Sequence, residues 1–288
     1  MNKLSIQAPS KINLFLKVTG RRPDGYHTLH TLFMPVAKPA DDITIELDAE
    51  SGISISCDHP FVPTDSRNIC YKAAELYAQK AEVAPNWAIS ICKQIPVAAG
   101  MGGGSGNAAA VLSGLNKFYK KLSPEEISEL ALQCGADVPF FLNPRPAIAS
   151  GVGEIFNYPE LNYKKIPMLL INPKFPVSAA WAYKHLNPEH IGASEPDYAE
   201  RVIIALNNND LDSLGKLVRN DLAFALYVKF PILSLLREQL LDNGAPVAEI
   251  TGSGPTIFAL FRDSEHLKST SEILKAEYPT LTFIETQL

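Results

Sequence analysis

The alternation of apolar and polar positions divides the chain into elements of two periods. Residues 4–8 and 12–18 alternate with period two and read as strands. In the second, Ile12, Leu14, Leu16 and Val18 share one face, while Lys11, Asn13, Phe15 and Lys17 share the other. Lys11 and Asn13 therefore point the same way, two residues apart. Residues 43–47 and 53–57 read as short strands with a turn signal at Ser51-Gly52. Ala73, Ala74, Leu76, Tyr77 and Ala81 fall at helical spacing and predict a helix over 68–81. A strand over 88–92 follows, then a glycine-dense loop, then helices over 107–119 and 124–134. Ser123 before Pro124, with Glu126 at the third helical position, is a capping box with proline at N1.

After Gly151-Val-Gly153 the character changes. Residues 167–172, apolar up to Asn172, read as a buried strand, and helices are predicted over 178–186, 197–207, 210–219 and 231–242. Residues 248–251, the segment Gly252-Ser-Gly-Pro255 and residues 257–261 read as strand, tight turn, strand. A helix over 264–276 and a strand over 281–285 close an α+β pattern. The glycine-rich, Pro159-bearing stretch places a domain boundary near 150–160, dividing the chain into 1–153 and 154–288.

Residues 96–110, Pro96-Val-Ala-Ala-Gly-Met-Gly-Gly-Gly-Ser-Gly-Asn-Ala-Ala-Ala110, carry the strongest chemical signal. Five glycines fall within the seven positions from Gly100 to Gly106, and alanines follow at once. Glycine reaches positive φ without strain and has no Cβ to hold a ligand away. A loop of this kind feeding a helix N-terminus presents free N–H groups and a partial positive charge, which suits a phosphate. The loop is not a Walker A loop, because it ends Gly104-Ser-Gly-Asn107 with no lysine. It also misses the dinucleotide fingerprint, since Ser105 stands at the third glycine position and Pro96 interrupts the approach.

Composition narrows the partners. The chain has 288 residues, 46% hydrophobic and 20% charged, with a net charge of −5, an ordinary globular balance. No basic run is longer than a pair such as Arg21-Arg22 or Lys120-Lys121, so nucleic acid is not expected as a partner. Residues 1–23 hold five cations and no acid; without an apolar h-region they read as an electropositive surface rather than a targeting peptide. No segment approaches the roughly 18 apolar residues of a membrane span. Cys57, Cys70, Cys92 and Cys134 show no C-x-x-C pairing and lie in mostly apolar surroundings, which predicts buried reduced thiols and a cytoplasmic compartment. The expected association state is a monomer or weak homodimer.

Three segments are polar or glycine-rich among core-like neighbours: 9–27, 96–107 and 251–255. A fourth, Gly135-Ala-Asp-Val-Pro139, places one acid in an apolar run, at an expected strand entry. Asp137 there is either a turn cap or a buried functional carboxylate. The second reading requires a cation or donors nearby, and Lys11 is the candidate partner.

Ala8-Pro-Ser-Lys-Ile-Asn-Leu-Phe-Leu16, Asp24-Gly-Tyr-His27, the glycine loop, Gly135-Ala-Asp-Val-Pro139 and Thr251-Gly-Ser-Gly-Pro-Thr256 occur in that order. Together they resemble the GHMP kinase superfamily. The resemblance implies an N-terminal domain like domain 2 of ribosomal protein S5, with a left-handed βαβ unit, joined to a ferredoxin-like C-terminal domain with the active site between them. It implies ATP and Mg2+ as cofactors and, as small-molecule substrate, a cytidine diphosphate conjugate phosphorylated on a sugar-alcohol hydroxyl. Lys11 and Asp137 match the family's catalytic lysine and aspartate. Pro96, Val97, Ala98, Ala99, Gly100, Met101, Gly102, Gly103, Gly104, Ser105 and Gly106 match its triphosphate loop, and Asn68 and Lys93 fall where it contacts adenosine. Tyr26 and His27 match residues that hold the cytosine, and Tyr183 matches the aromatic that stacks on it, with Trp181 a nearby rival. Asn13, Gly252 and Ser253 fall on the substrate side.

One departure stands out. The family loop usually carries two serines before the asparagine, whereas this chain has Ser105 and Gly106. A hydroxyl there helps hold Mg2+ in related kinases; Ser105, Asn107 or water are the substitutes, and the metal ligand is left open. Homoserine and mevalonate kinases of the same superfamily lack the Gly25-Tyr-His27 segment. A ligand sensor on the same fold would be favoured by loss of Lys11 or Asp137, and both are present.

Overall fold

The computed structural model describes residues 2–48, 52–192, 195 and 197–288. Ser51, half of the expected Ser51-Gly52 turn, lies outside the described residues. The chain forms two compact units, one from Met1–Ser10, Lys38–Val97 and Gly102–Pro144, the other from Lys11–Ala37, Ala98–Met101 and Arg145–Leu288. Two long strands, β1 (Lys3–Arg21) and β2 (His27–Leu47), contribute residues to both. The pattern predicts two strands in place of β1 and only the last five residues of β2. Prolines mislead it: Pro9, Pro35 and Pro39 each remove a ladder donor, yet their fixed φ is compatible with extended backbone.

In the first unit, β3 (Gly52–Cys57) pairs parallel with β4 (Asn86–Cys92), and β4 pairs antiparallel with Asp42–Leu47 of β2. Helices α1 (Ile69–Ala81), α2 (Gly103–Tyr119) and α3 (Pro124–Cys134) complete the unit. Its core gathers Tyr77 of α1, Trp87 of β4 and the buried run Ala108–Leu112 of α2. The polar tips inside it are satisfied: Tyr77 Oη donates to Asn116 at 3.1 Å and Trp87 Nε1 donates to Tyr119 at 3.0 Å. The capping box of α3 forms in full, with the Ser123 and Glu126 side chains each accepting the other's backbone N–H.

Two expectations are corrected here. Helix α2 starts at Gly103 rather than at 107. Glycines cost about 1 kcal/mol each in a helix by propensity, and the buried Ala108–Leu112 stretch farther along α2 carries them through its packing. The segment after Asp137 is not a strand entry: Pro139–Leu142 is a 3₁₀ turn with Phe140 and Phe141 buried.

In the second unit, Thr31–Phe33 of β2 pairs with β5 (Ala147–Ser150), which pairs with β6 (Ile155–Asn157). There follow β7 (Pro167–Asn172), α4 (Ala179–Lys184), α5 (Tyr198–Asn207), α6 (Leu211–Leu217), α7 (Ala223–Lys229), α8 (Pro231–Asp242), β8 (Val247–Ile250), β9 (Ile257–Leu260), α9 (Ser264–Glu277) and β10 (Thr282–Gln287). Strands β10, β7, β9 and β8 make, in that order, an antiparallel sheet. Leu169 and Ile171 of β7, Ile257 of β9, Leu233, Leu236 and Leu240 of α8 and Leu267 and Leu274 of α9 form one cluster between sheet and helices. The strand, turn, strand reading of 248–261 holds, with Ile250 opposite Ile257. Strands β5 and β6 and helix α7, of four, three and seven residues, are absent from the sequence pattern.

Candidate active site

The glycine segment does two different things. Gly102 sits at φ 72 as the N-cap of α2, and Gly106 N–H makes an intrahelical bond to Gly102 O at 2.9 Å. The N–H groups of Gly103, Gly104 and Ser105 precede that bond and have no partner within the helix. Three donors on side-chain-free or small residues thus crown the positive end of a 17-residue helix. Gly104 is exposed, and Gly106 is buried where a Cβ would stand 3.0 Å from Pro9 O. Just upstream, Pro96 and Val97 are half-buried, Ala98 is exposed at φ 52, and Ala99 and Met101 are buried.

Within the second unit, β1 delivers Lys11 and Asn13 to the Ala98–Met101 stretch. Lys11 N–H donates to Met101 O at 3.0 Å, and its ammonium donates to Gly100 O at 3.0 Å and to Asn13 Oδ1 at 2.6 Å. The buried lysine is therefore held on carbonyls of residues that directly precede Gly102 and α2 in the chain. Gly100 sits at φ +76, and a Cβ there would overlap Thr251 O and come within 2.9 Å of Gly254 N. Only glycine lets the loop and the Thr251–Gly254 turn approach so closely. Asn13 N–H donates to Thr251 Oγ1 at 2.9 Å, and a Cβ on Gly252 would lie 3.1 Å from Asn13 Oδ1. Lys11, Asn13, Gly100 and Gly252 form one polar cluster; Ser253 follows, half-buried, in the same turn.

In the first unit, Asp137 lies half-buried in the turn between α3 and the 3₁₀ turn. Lys93 is ion-paired with the fully buried Asp41, whose other oxygen accepts the N–H groups of Gln94 and Ile95 at 2.8 Å each. A Cβ on Gly103 would stand 3.1 Å from Lys93 Nζ, so this ammonium flanks the first residue of α2. Asn68 is the N-cap of α1: its Oδ1 accepts from Cys70 N–H at 2.9 Å and its Nδ2 donates to Pro63 O at 2.6 Å. Its side chain is already spent on the backbone.

His27 and Tyr183 stack at 5.5 Å between ring centroids, 17° from parallel. Partial burial, then the nearby Arg21 charge, hold His27 below the ordinary imidazole range. Tyr26 beside it is 67% exposed, an aromatic ring left facing solvent. Trp181 stacks instead on His185 at 4.4 Å and lies under the Lys229 ammonium at 3.9 Å. The thiols depart from expectation: Cys70 alone is buried, its pKa pushed up to about 12 by desolvation, while Cys57 and Cys134 are half-buried and Cys92 is exposed at the end of β4. Among the described residues no group of three or more His, Cys, Asp or Glu side chains is placed to hold a metal, and no helix is long and apolar enough to cross a membrane.

Three residues that shape these clusters escape the sequence reading: Thr31, Asp41 and Asn220. Asn220 Nδ2 donates to Ile250 O at 2.9 Å and Gly252 O at 2.7 Å, fixing the turn that carries Thr251. The only sequence signal is a polar side chain inside an apolar run, as in Leu29–Val36 around Thr31.

Residues 68–144 match the GHMP kinases N terminal domain and residues 202–280 match the GHMP kinases C terminal. The 4-diphosphocytidyl-2-C-methyl-D-erythritol kinase of Synechococcus sp. (strain JA-3-3Ab) is 37% identical, over 100% of this chain and 94% of its own. That of Citrifermentans bemidjiense is 38% identical over 96% of each. A crystal structure of 4-(cytidine 5'-diphospho)-2C-methyl-D-erythritol kinase superposes with a TM-score of 0.83 at 33% identity, covering 99% of this chain and 98% of that one. The homoserine kinase of Cytophaga hutchinsonii, at 18% identity and a TM-score of 0.78 over 99% and 95% of the two chains, shares the fold.

Proposed function

We infer the reaction from one premise: the chain belongs to the GHMP kinase family, among the 4-diphosphocytidyl-2-C-methyl-D-erythritol kinases. The reaction is transfer of the ATP γ-phosphoryl group to the 2-hydroxyl of 4-diphosphocytidyl-2-C-methyl-D-erythritol, giving the 2-phosphate and ADP. It is a step of the non-mevalonate (MEP) route to isoprenoid precursors, carried out by a cytoplasmic monomer or weak homodimer. The observation that carries this reading is the Lys11 ammonium, bound to Asn13 Oδ1 and Gly100 O beside the residues that lead into α2.

Phosphoryl transfer through a loose transition state asks chiefly for positioning and charge stabilisation. The N–H groups of Gly103, Gly104 and Ser105 offer donors to the triphosphate, with the Lys93 ammonium beside them. Asp137 accepts the proton of the 2-hydroxyl late, as the new P–O bond forms and the β,γ-bridging P–O bond breaks. A carboxylate of reference pKa about 3.9 is a weak base toward an alcohol, but a contribution of about 10²–10⁴-fold is within the ordinary range for a positioned base. Lys11 supplies positive charge to the developing alkoxide. Tyr26, His27 and Tyr183 receive the cytosine, with Tyr183 preferred over Trp181 because its ring is the one stacked against His27.

The donor set suits magnesium. Mg2+ keeps several waters and takes few protein ligands when phosphates are present. Gly106 brings no hydroxyl, but Ser105 lies in the first turn of α2, and Asn107 Oδ1 is buried with no hydrogen-bond partner among the described residues. Ser105 or Asn107, completed by water, would hold the ion, which when bound would neutralise phosphate charge.

Purified chain with ATP and Mg2+ should release ADP with the cytidine diphosphate substrate and not with homoserine or mevalonate. ADP with either of those in preference would move the chain to another branch of the family, and none with any would favour a ligand sensor.

A further inference from the structure

We propose that Thr31 is a positioning residue whose hydroxyl fixes which end of the Asn13 carboxamide faces Lys11. Thr31 is fully buried in β2. Its Oγ1 lies 2.5 Å from Phe15 O and 2.8 Å from Asn13 Nδ2. A backbone carbonyl only accepts, so the single hydroxyl proton of Thr31 is committed to Phe15. Toward Asn13 the hydroxyl oxygen is then an acceptor, and only the NH₂ end of the amide satisfies it. The carbonyl end is left to face Lys11 Nζ, at 2.6 Å.

Turning the amide over would create two faults at once. The NH₂ group would meet the Lys11 ammonium, donor against donor, and the amide oxygen would meet a hydroxyl oxygen whose proton is already used. Neither fault can be relieved by water where Lys11, Asn13 and Thr31 are all at least 96% buried. The backbone of Asn13 is pinned separately by its N–H bond to Thr251 Oγ1, so amide orientation is the freedom that remains, and Thr31 removes it. One hydrogen-bond direction, set at Phe15 O, is passed through Thr31 and Asn13 to the lysine.

The inference rests on Lys11 acting in the transfer step, and Thr31→Val tests it. Valine keeps the shape and the strand preference but loses the hydroxyl, whereas Thr31→Ser keeps it. With kcat measured per folded active site, T31V should lose about 10-fold to 10²-fold in kcat, the range expected for a misplaced catalytic group. KM for ATP should stay near the parent value, and T31S should restore most of kcat. Parent-like kcat in T31V, a loss appearing only in KM, or a loss in T31S equal to that in T31V would each overturn the proposal. Should T31V not fold, neutron diffraction on the unaltered chain should place the Thr31 deuterium toward Phe15 O and the Asn13 ND₂ toward Thr31; the opposite amide orientation overturns the proposal. Lys11→Ala separates the two layers. If it keeps full turnover, the reading of Lys11 fails and the proposal with it; if it is inactive while T31V behaves like the parent, only the proposal fails.

Discussion

The ammonium of Lys11 donates to the side-chain oxygen of Asn13 at 2.6 Å, two residues along the same face of β1. That face is as deeply buried as the apolar face opposite: Lys11, Asn13 and Lys17 are at most 4% exposed. Taking a lysine out of water is costly unless its donors find acceptors, and here the ammonium donates to one loop carbonyl and one neighbouring amide oxygen. Lys11→Ala should cut kcat by at least about 10²-fold, the scale of a lost catalytic group, in steady-state assays. Lys17→Ala should cost less turnover, because Lys17 is tied to Glu195 at 3.2 Å and to the Tyr198 ring at 4.3 Å.

Two glycines of the same loop should respond oppositely to alanine. At Gly100 a Cβ overlaps Thr251 O and the backbone has positive φ, so Gly100→Ala should lower the melting temperature and the activity together. At Gly104, inside the first turn of α2, the nearest atom to a Cβ is Ile69 Cγ2 at 3.7 Å. Gly104→Ala should leave stability unchanged or raise it by up to about 1 kcal/mol through helix propensity, while weakening ATP binding if that face meets the phosphates. Thermal denaturation with and without ATP checks both.

Asp41 is fully buried and holds Lys93 together with two backbone N–H groups. Asp41→Ala strands a buried ammonium and should destabilise the chain by about 3–5 kcal/mol, read from the denaturant midpoint at constant slope. Replacing both partners by apolar residues should recover part of the loss, but not ATP affinity.

Burial and Arg21 lower the pKa of His27. A histidine with a depressed folded pKa binds fewer protons than the unfolded chain below pH about 6.5, so its contribution is complete above that value and is lost as pH falls through the folded pKa. Because His27 and Tyr183 are the residues proposed to hold the cytosine, protonating His27 should also raise KM for the cytidine substrate on the acid side while KM for ATP does not follow it. Tyr183→Ala should raise the same KM more than Trp181→Ala does, since Trp181 is engaged with His185, Lys229 and the core around Phe230.

Elements with a regular apolar pattern or a clear punctuation signal were legible: β7 and α8 from their apolar positions, α3 from its capping box, and the β8–β9 pair from the Gly252-Ser-Gly-Pro255 turn between apolar runs. Elements that break a propensity rule were not. Pro9 hides the continuity of β1, Pro35 and Pro39 hide most of β2, and the glycines at 103–106 hide the true start of α2. Lys11 and Asn13 could be found because period two set them on one face beside apolar neighbours. Thr31 and Asp41 could not, because their roles arise from hydrogen bonds closed across strands and loops, which leave no period in the sequence. Cys92 shows the converse limit, an apolar-looking context at a strand end that turned out to be exposed.

The most direct test follows the phosphorus atoms by 31P NMR during turnover with ATP, Mg2+ and 4-diphosphocytidyl-2-C-methyl-D-erythritol. One new phosphomonoester resonance should grow in step with ADP while the substrate diphosphate stays intact, and Asp137→Asn should bind ATP yet slow that growth by at least about 10²-fold. Inorganic phosphate in place of the monoester, or an Asp137→Asn variant that turns over at the parent rate, would contradict it.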